Sequence, residues 1–293
     1  MDVRIAPVRP EQLTDISEAL ARWQREPTMH VCYLGTEAEP IAADLEALEP
    51  AGLDAAVAAW RDRSVVGFLA AEWDEDPPRV WWHGPFVDPT ASEADELADV
   101  MYQRLRLSLP RTVDQEELAA DDRHATVEAF ARRHGFERGD DASALFILEP
   151  GTDAEPPGSH HQISPLDVSD HRPVARLHDE LFPGTHSTGE RLTSGEHHEV
   201  LLVARDHGVP VGYIACEHQS DGTGYIDYVG VDPGYEGRGI GQALLWAGVE
   251  ALRDRGCGRI ALTVRESNTV ARRLYRRLGF TEERLLRRWR KGC

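Results

Sequence analysis

The chain has little lysine: Lys291 stands alone against 31 arginines. Cysteine is also sparse. Cys32, Cys216, Cys257 and Cys293 lie far apart and form no CxxC pair, which predicts reduced thiols in a cytoplasmic protein. No run of eighteen apolar residues occurs, so no membrane-spanning helix is expected. The start, Met1-Asp2-Val3-Arg4-Ile5, lacks the basic flank and apolar stretch of a signal peptide. A basic surplus is missing too, since the net charge is −19. Phosphate-rich polymers need a basic footprint, so nucleic acid is excluded as a partner.

The acidity is uneven. Residues 1–150 hold 31 Asp and Glu against 14 Arg, a net −17, while residues 151–293 hold 20 against 18 Arg and Lys, a net −2. Such a field steers cationic small molecules inward, or serves solubility alone. Apolar residues make up 41% and charged residues 28%, a soluble globular composition. A length of 293 residues predicts two domains.

Gly151 to Ser159 is polar and rich in Pro and Gly and reads as a linker. Similar segments recur on both sides of it. Val65-Val66-Gly67-Phe68 resembles Pro210-Val211-Gly212-Tyr213, and Ala131 to Phe136 resembles Tyr275 to Phe280. Asp88-Pro89 and Asp232-Pro233 are 144 residues apart, as are Gly135 and Gly279. Equal spacing in the same order predicts a tandem duplication: domains at 1–150 and 160–293, joined by 151–159.

In the second half, apolar alternation predicts strands near 160–166, 199–205, 209–218 and 223–231. A helix is expected over about 170–182. Ile240, Leu244, Ala247 and Ala251 form one stripe of a helix over 238–255 that Gly256 stops. A strand at 259–264, a helix capped by Asn268 and ended by Gly279, and a closing strand or hairpin over 280–290 complete it. The fold class is α/β, as a mixed sheet with helices packed on it.

Glu236-Gly237-Arg238-Gly239-Ile240-Gly241 follows a strand and opens a helix. Glycines there let backbone N–H groups converge on an anion, aided by the helix N-terminus; a pyrophosphate suits such a turn. A bare tight turn is the alternative. A Walker loop fails for want of lysine. A dinucleotide fingerprint fails in both frames, since Gln242 and Leu244 stand where its last glycine belongs.

Val229 through Gly241 resembles the fold-back strand and Q/RxxGxG/A loop of the GNAT acyltransferases. Glu266 to Phe280 is similar to the family's N-x-x-A-x-x-x-Y-x-x-x-G-F block, with Asn268, Ala271, Tyr275, Gly279 and Phe280 in place. The resemblance implies two GNAT-like domains, each a mixed, mostly antiparallel sheet flanked by helices. It implies an N-acetyltransferase that moves acetyl from acetyl-CoA to a primary amine by direct attack in a ternary complex. Val229, Gly230, Val231, Glu236, Gly237, Arg238, Gly239, Ile240, Gly241 and Gln242 would then bind the cosubstrate, with Asn268 holding the pantetheine arm or capping its helix. Glu236 departs from the family's Arg or Gln and brings a carboxylate near the phosphates.

Tyr275 is the expected general acid, since a phenol of pKa ~10 can protonate a departing thiolate of pKa ~8.5. The base is open between Asp227, Glu217 and His218, and each could be a plain strand residue. His160-His161 and His197-His198 lack ligand spacing, so no metal is expected. At a spacing of 144, Glu93, Asp95 and Leu97 replace the loop glycines, while His124 and Ala131 replace Asn268 and Tyr275. The first half therefore reads as a degenerate copy. The expected partner is a small-molecule amine, to a monomer or homodimer, with no nucleic acid and no membrane. A non-catalytic acyl-CoA-binding regulator is the alternative.

Overall fold

The structure, a computed structural model, describes residues 3–75, 78–91, 93–152, 161–183, 185, 187–195 and 198–292. Most of the proposed linker, together with His160, His197 and Cys293, lies outside the described residues. The chain divides into two compact units: residues 1–143 with 284–293, and residues 144–283.

In the first unit the strands are β1 (Val3–Pro7), β2 (Ala56–Arg61), β3 (Ser64–Glu75), β4 (Pro78–Val87), β5 (Gln115–Asp121) and β6 (Glu137–Arg138). Its helices are α1 (Leu13–Gln24), α2 (Ala38–Glu46), α3 (Ala94–Arg106) and α4 (Ala125–Arg133). β1 to β4 pair antiparallel in sequence order, and β4 pairs parallel with β5. Antiparallel neighbours need only short turns, whereas the parallel step needs a crossover, and α3 supplies it. Phe68, Leu69, Trp82, Phe86, Met101 and Phe130 fill the core.

The second unit carries β7 (Ser143–Leu148), β8 (Gln162–Pro165), β9 (Val200–Asp206), β10 (Val209–His218), β11 (Gly224–Val231), β12 (Ile260–Arg265) and the start of β13 (Thr281–Gly292). Its helices are α5 (His171–Leu181), α6 (Gly189–Thr193), α7 (Ile240–Arg253) and α8 (Thr269–Arg277). β8 to β11 pair antiparallel in order, and β11 pairs parallel with β12. The expected closing element is thus one long strand. Short α6 carries no apolar stripe long enough to predict it.

The plan repeats in detail at the same spacing. Gly224 pairs with Ile260 and Val80 with Glu116, both partners displaced by 144 residues. Helices α4 and α8 are displaced by 144 at both ends. Their caps use the same device: His124 Nδ1 accepts from the Val127 amide at 3.3 Å, and Asn268 Oδ1 from the Ala271 amide at 3.1 Å.

The closing strands are exchanged. Residues 286–292 of β13 pair with β5 of the first unit, and Trp289 and Arg290 pair with β6. β7, which follows the first copy in sequence, lies beside β12 of the second. Each copy's last strand completes the other copy's sheet.

Candidate functional site

The second unit opens where two strands part. β11 and β12 pair only from Gly224 to Ile226, against Ile260 to Leu262. Beyond Ile226, β11 keeps its antiparallel partner β10 but not β12. The Asp232 amide donates to the Val211 carbonyl of β10 at 2.9 Å. Backbone groups alternate sides along a strand, so the N–H groups of Val231 and Val229 face the gap. Unpaired strand edges inside a fold are places for a ligand chain to add its own hydrogen bonds.

At the far end of that gap stands the N-terminus of α7. Gly239 is its N-cap with φ 80°, and Gly237 has φ 74°. A side chain at either position is strained. No side chain caps the helix and no acid lies in its first turn. The first bond of the helix runs from the Ala243 amide to the Gly239 carbonyl at 3.0 Å, leaving the amides of Ile240, Gly241 and Gln242 without an intrahelical acceptor. The helix thus begins two residues later than its sequence pattern suggests. Glu236 and Arg238 are exposed on the loop, and the Arg238 guanidinium lies 4.7 Å from the centre of the Tyr235 ring.

Tyr275 lies on α8 and is 6% exposed. Its ring packs on Phe146 of β7 at 5.7 Å and on Phe280 at 6.1 Å. Among the described residues, none hydrogen-bonds its hydroxyl. Burial alone pushes this phenol up to about 12, so it stays protonated at neutral pH. Asn268 caps α8 through Oδ1, which leaves its amide –NH2 as donor.

The opposite face of the sheet carries the titratable cluster. A β-bulge shifts the register between Ala215 and Cys216 of β10, opposite Tyr228 and Ile226. On one side of the bulge the Cα of Gly224 faces Leu252 of α7; on the other, Gly230 faces Leu181 of α5 and Tyr213, while Gly241 of α7 lies against Val231. The alternation therefore slips at Asp227, turning it and Tyr228 toward the same face. Asp227 Oδ2 meets His198 Nε2 at 3.1 Å. Burial, then the Asp227 charge, raises the Glu217 carboxyl above its usual range. Tyr228 packs against His178 at 4.6 Å and Phe182 at 5.1 Å. His178, fully buried, bridges the Tyr213 hydroxyl at 2.6 Å and the Ser187 carbonyl at 2.9 Å. This ties the segment after α5 to the sheet.

The structure thus brings Asp227 and Glu217 into one cluster and turns His218 outward. His198, read from sequence only as half of a histidine pair, joins that cluster. It precedes β9 in a loop and reaches a residue 29 positions away, a pairing that no local pattern signals. Among the described residues no group of three or more His, Cys, Asp or Glu could hold a metal. No helix of the described residues is long and apolar enough to cross a membrane.

The corresponding places of the first unit differ. Residues 119–121 of β5 pair with the segment around Val31: Cys32 donates to Ala119 and Asp121 to His30, both at 2.9 Å. The gap beyond the β4–β5 pairing is therefore occupied by the chain itself. Glu93 is the N-cap of α3, with Asp95 and Glu96 in its first turn. Its carboxylate meets Arg61 at 2.5 Å. Ala131 is fully buried.

Comparison with known proteins agrees with this geometry. The pattern of the Acetyltransferase (GNAT) family matches residues 169–280. Mycothiol acetyltransferase of Saccharopolyspora erythraea is 40% identical over 80 residues, 27% of this chain and 26% of that protein. The one from Thermobispora bispora is 52% identical over 87 residues, 28% of this chain and 30% of its own. The matches thus span under a third of these relatives' length. A GCN5-related N-acetyltransferase from Sphaerobacter thermophilus superposes with a TM-score of 0.78 at 22% identity, covering 99% of this chain and 95% of that one. A tandem GNAT protein from the clavulanic acid biosynthesis pathway superposes with a TM-score of 0.66 at 16% identity, over 99% and 98%. These two likenesses show the fold. The segment that matches the acetyltransferase (GNAT) family lies within the second unit, the one with the open strand edge and the bare helix terminus.

Proposed function

We propose that the second unit transfers an acetyl group from acetyl-CoA to a primary amine of a small molecule, by direct attack while both are bound. One observation carries the reading: β11 leaves its parallel partner and runs, with unpaired amides, to an uncapped helix N-terminus behind two glycines of positive φ. A pyrophosphate joined to a pantetheine chain matches that sequence of donors. The relatives' name makes a mycothiol-type amine the first acceptor to test. The same unit offers a carboxylate pair and aromatic walls, suited to an ammonium group.

Asp227 takes one proton from the ammonium. The neutral amine then forms a C–N bond at the thioester carbonyl, and the Val229 amide donates to the developing oxyanion. As the C–S bond breaks, the Tyr275 hydroxyl gives its proton to the departing sulfur. The excess proton on nitrogen restores the phenol, and Asp227 releases its own to solvent.

Calorimetry and turnover test this together. One acetyl-CoA per chain is expected, lost in Gly239→Glu, which adds both backbone strain and a carboxylate. Tyr275→Phe should bind acetyl-CoA within about twofold of the parent and lose ~10²–10³ in kcat. If acetyl-CoA binds yet no amine accelerates thioester cleavage, the protein is an acyl-CoA-binding regulator instead.

A further inference from the structure

We infer that His198 is a positioning residue for the acetyl transfer: its Nε2–H donates to Asp227 Oδ2 and fixes that carboxylate as the anion that receives the ammonium proton. The inference rests on the function proposed above.

The geometry is specific. His198 Nε2 lies 3.1 Å from Asp227 Oδ2, and the histidine side chain is 3% exposed against 16% for the aspartate. The ring is held edge-on to Tyr228, centroids 6.2 Å apart. His198 Nδ1 is buried and meets no hydrogen-bond partner among the described residues. A neutral imidazole carries one proton. Placed on Nδ1, that proton would leave a buried N–H without an acceptor and set a bare lone pair against a carboxylate. On Nε2 it donates to Asp227 and leaves only a lone pair unmet, the cheaper omission. The tautomer is therefore set by the pocket.

A carboxylate that accepts such a bond is favoured in its charged form. The titratable groups packed around the pair are Glu217 on β10, Tyr228 on β11 and His178 on α5, while the Glu199 carboxylate on the histidine's own segment accepts from the His218 amide. Two nearby carboxylates do not ionise equally easily. Burial pushes Glu217 toward the neutral acid, while the bulge turns Asp227, with its bond from His198, to the face shared with Tyr228. His198 thus selects which of the two carboxylates is the base, without needing to touch the acceptor.

The test uses the full chain with acetyl-CoA and an accepted amine. His198→Ala should lower kcat/KM about 10²-fold, mostly through kcat, and leave acetyl-CoA affinity unchanged. Without the donor, the acid limb of the kcat/KM profile should move to higher pH. His198→Gln places an amide N–H near the same point and should recover to within about fivefold of the parent, with the limb restored. Nitrogen-detected NMR of the parent should show the Nε2–H tautomer for the resonance that His198→Gln removes. An Nδ1–H tautomer overturns the inference, whatever the variants' folding. Equal losses in Ala and Gln with an unmoved limb also overturn it, leaving a packing role. A parent protein that acetylates no amine fails the proposed function instead, while the NMR result still reports on the pair.

Discussion

The two units share strand order, parallel register and helix spacing, yet only one leaves its backbone open. In the second unit, β11 and β12 separate beyond Ile226 and the α7 terminus is bare. In the first, residues 30–32 fill the matching edge of β5, and the α3 terminus, though it too lacks a side-chain cap bond, carries the carboxylates of Glu93, Asp95 and Glu96. Unpaired backbone amides inside a fold cost free energy unless something satisfies them. A ligand can do so in one unit; at the β5 edge of the other the chain does it. The difference teaches that core packing alone maintains the frame, and that a binding site is the part of the frame left unfinished.

The largest effect should come from separating the copies. Fragments 1–152 and 161–293, made alone, each lack the strand that completes their sheet, and neither should show a cooperative thermal transition. Co-expressed, they should recover one. An isolated 161–293 that melts cooperatively and binds acetyl-CoA would break the exchange described for β7 and β13.

A smaller effect separates the paired helix caps. Burial lowers His124 to about 4, with the Asp121 charge opposing, while an unfolded histidine titrates near ~6.5. Folding therefore favours the neutral ring, whose Nδ1 lone pair accepts the Val127 amide. That stability is complete above pH ~6.5 and is lost as the pH falls toward 4. Denaturant melts should show a loss of about 2–3 kcal/mol across this window. His124→Asn, which copies the cap of the second unit, should flatten it. An unchanged slope would mean that the pH dependence lies elsewhere.

The smallest expected effect concerns ligand number. Glu93→Gly combined with Asp95→Gly removes the carboxylates from the α3 terminus but leaves residues 30–32 in place. Calorimetry should still find one acetyl-CoA per chain. Two would show that charge, not the filled edge, closes the first unit.

Much of this was legible in the sequence because it is local. Gly237 and Gly239 mark positive φ, Asn268 marks a cap, and Tyr275 stands at a fixed distance from both Asn268 and Gly279. The 144-residue spacing, read from Asp-Pro and Gly-Phe pairs, reappears in the strand register. What stayed hidden depends on contacts far apart in sequence. His198 finds Asp227 only because a bulge turns one residue of β11. The filling of the β5 edge by residues around Val31 has no periodic signature. Nor could alternation reveal the destination of β7 and β13, since a strand's pattern says which face is buried and not which neighbour it joins.

Phe146 comes from the strand that ends the first copy, yet it forms one wall around the Tyr275 ring. The second unit therefore draws on polypeptide that precedes the linker in sequence. Any deletion that shortens the protein to its family-matching segment also strips an aromatic ring from Tyr275. A shorter chain holding one copy alone would have to rebuild an edge that its own half does not encode.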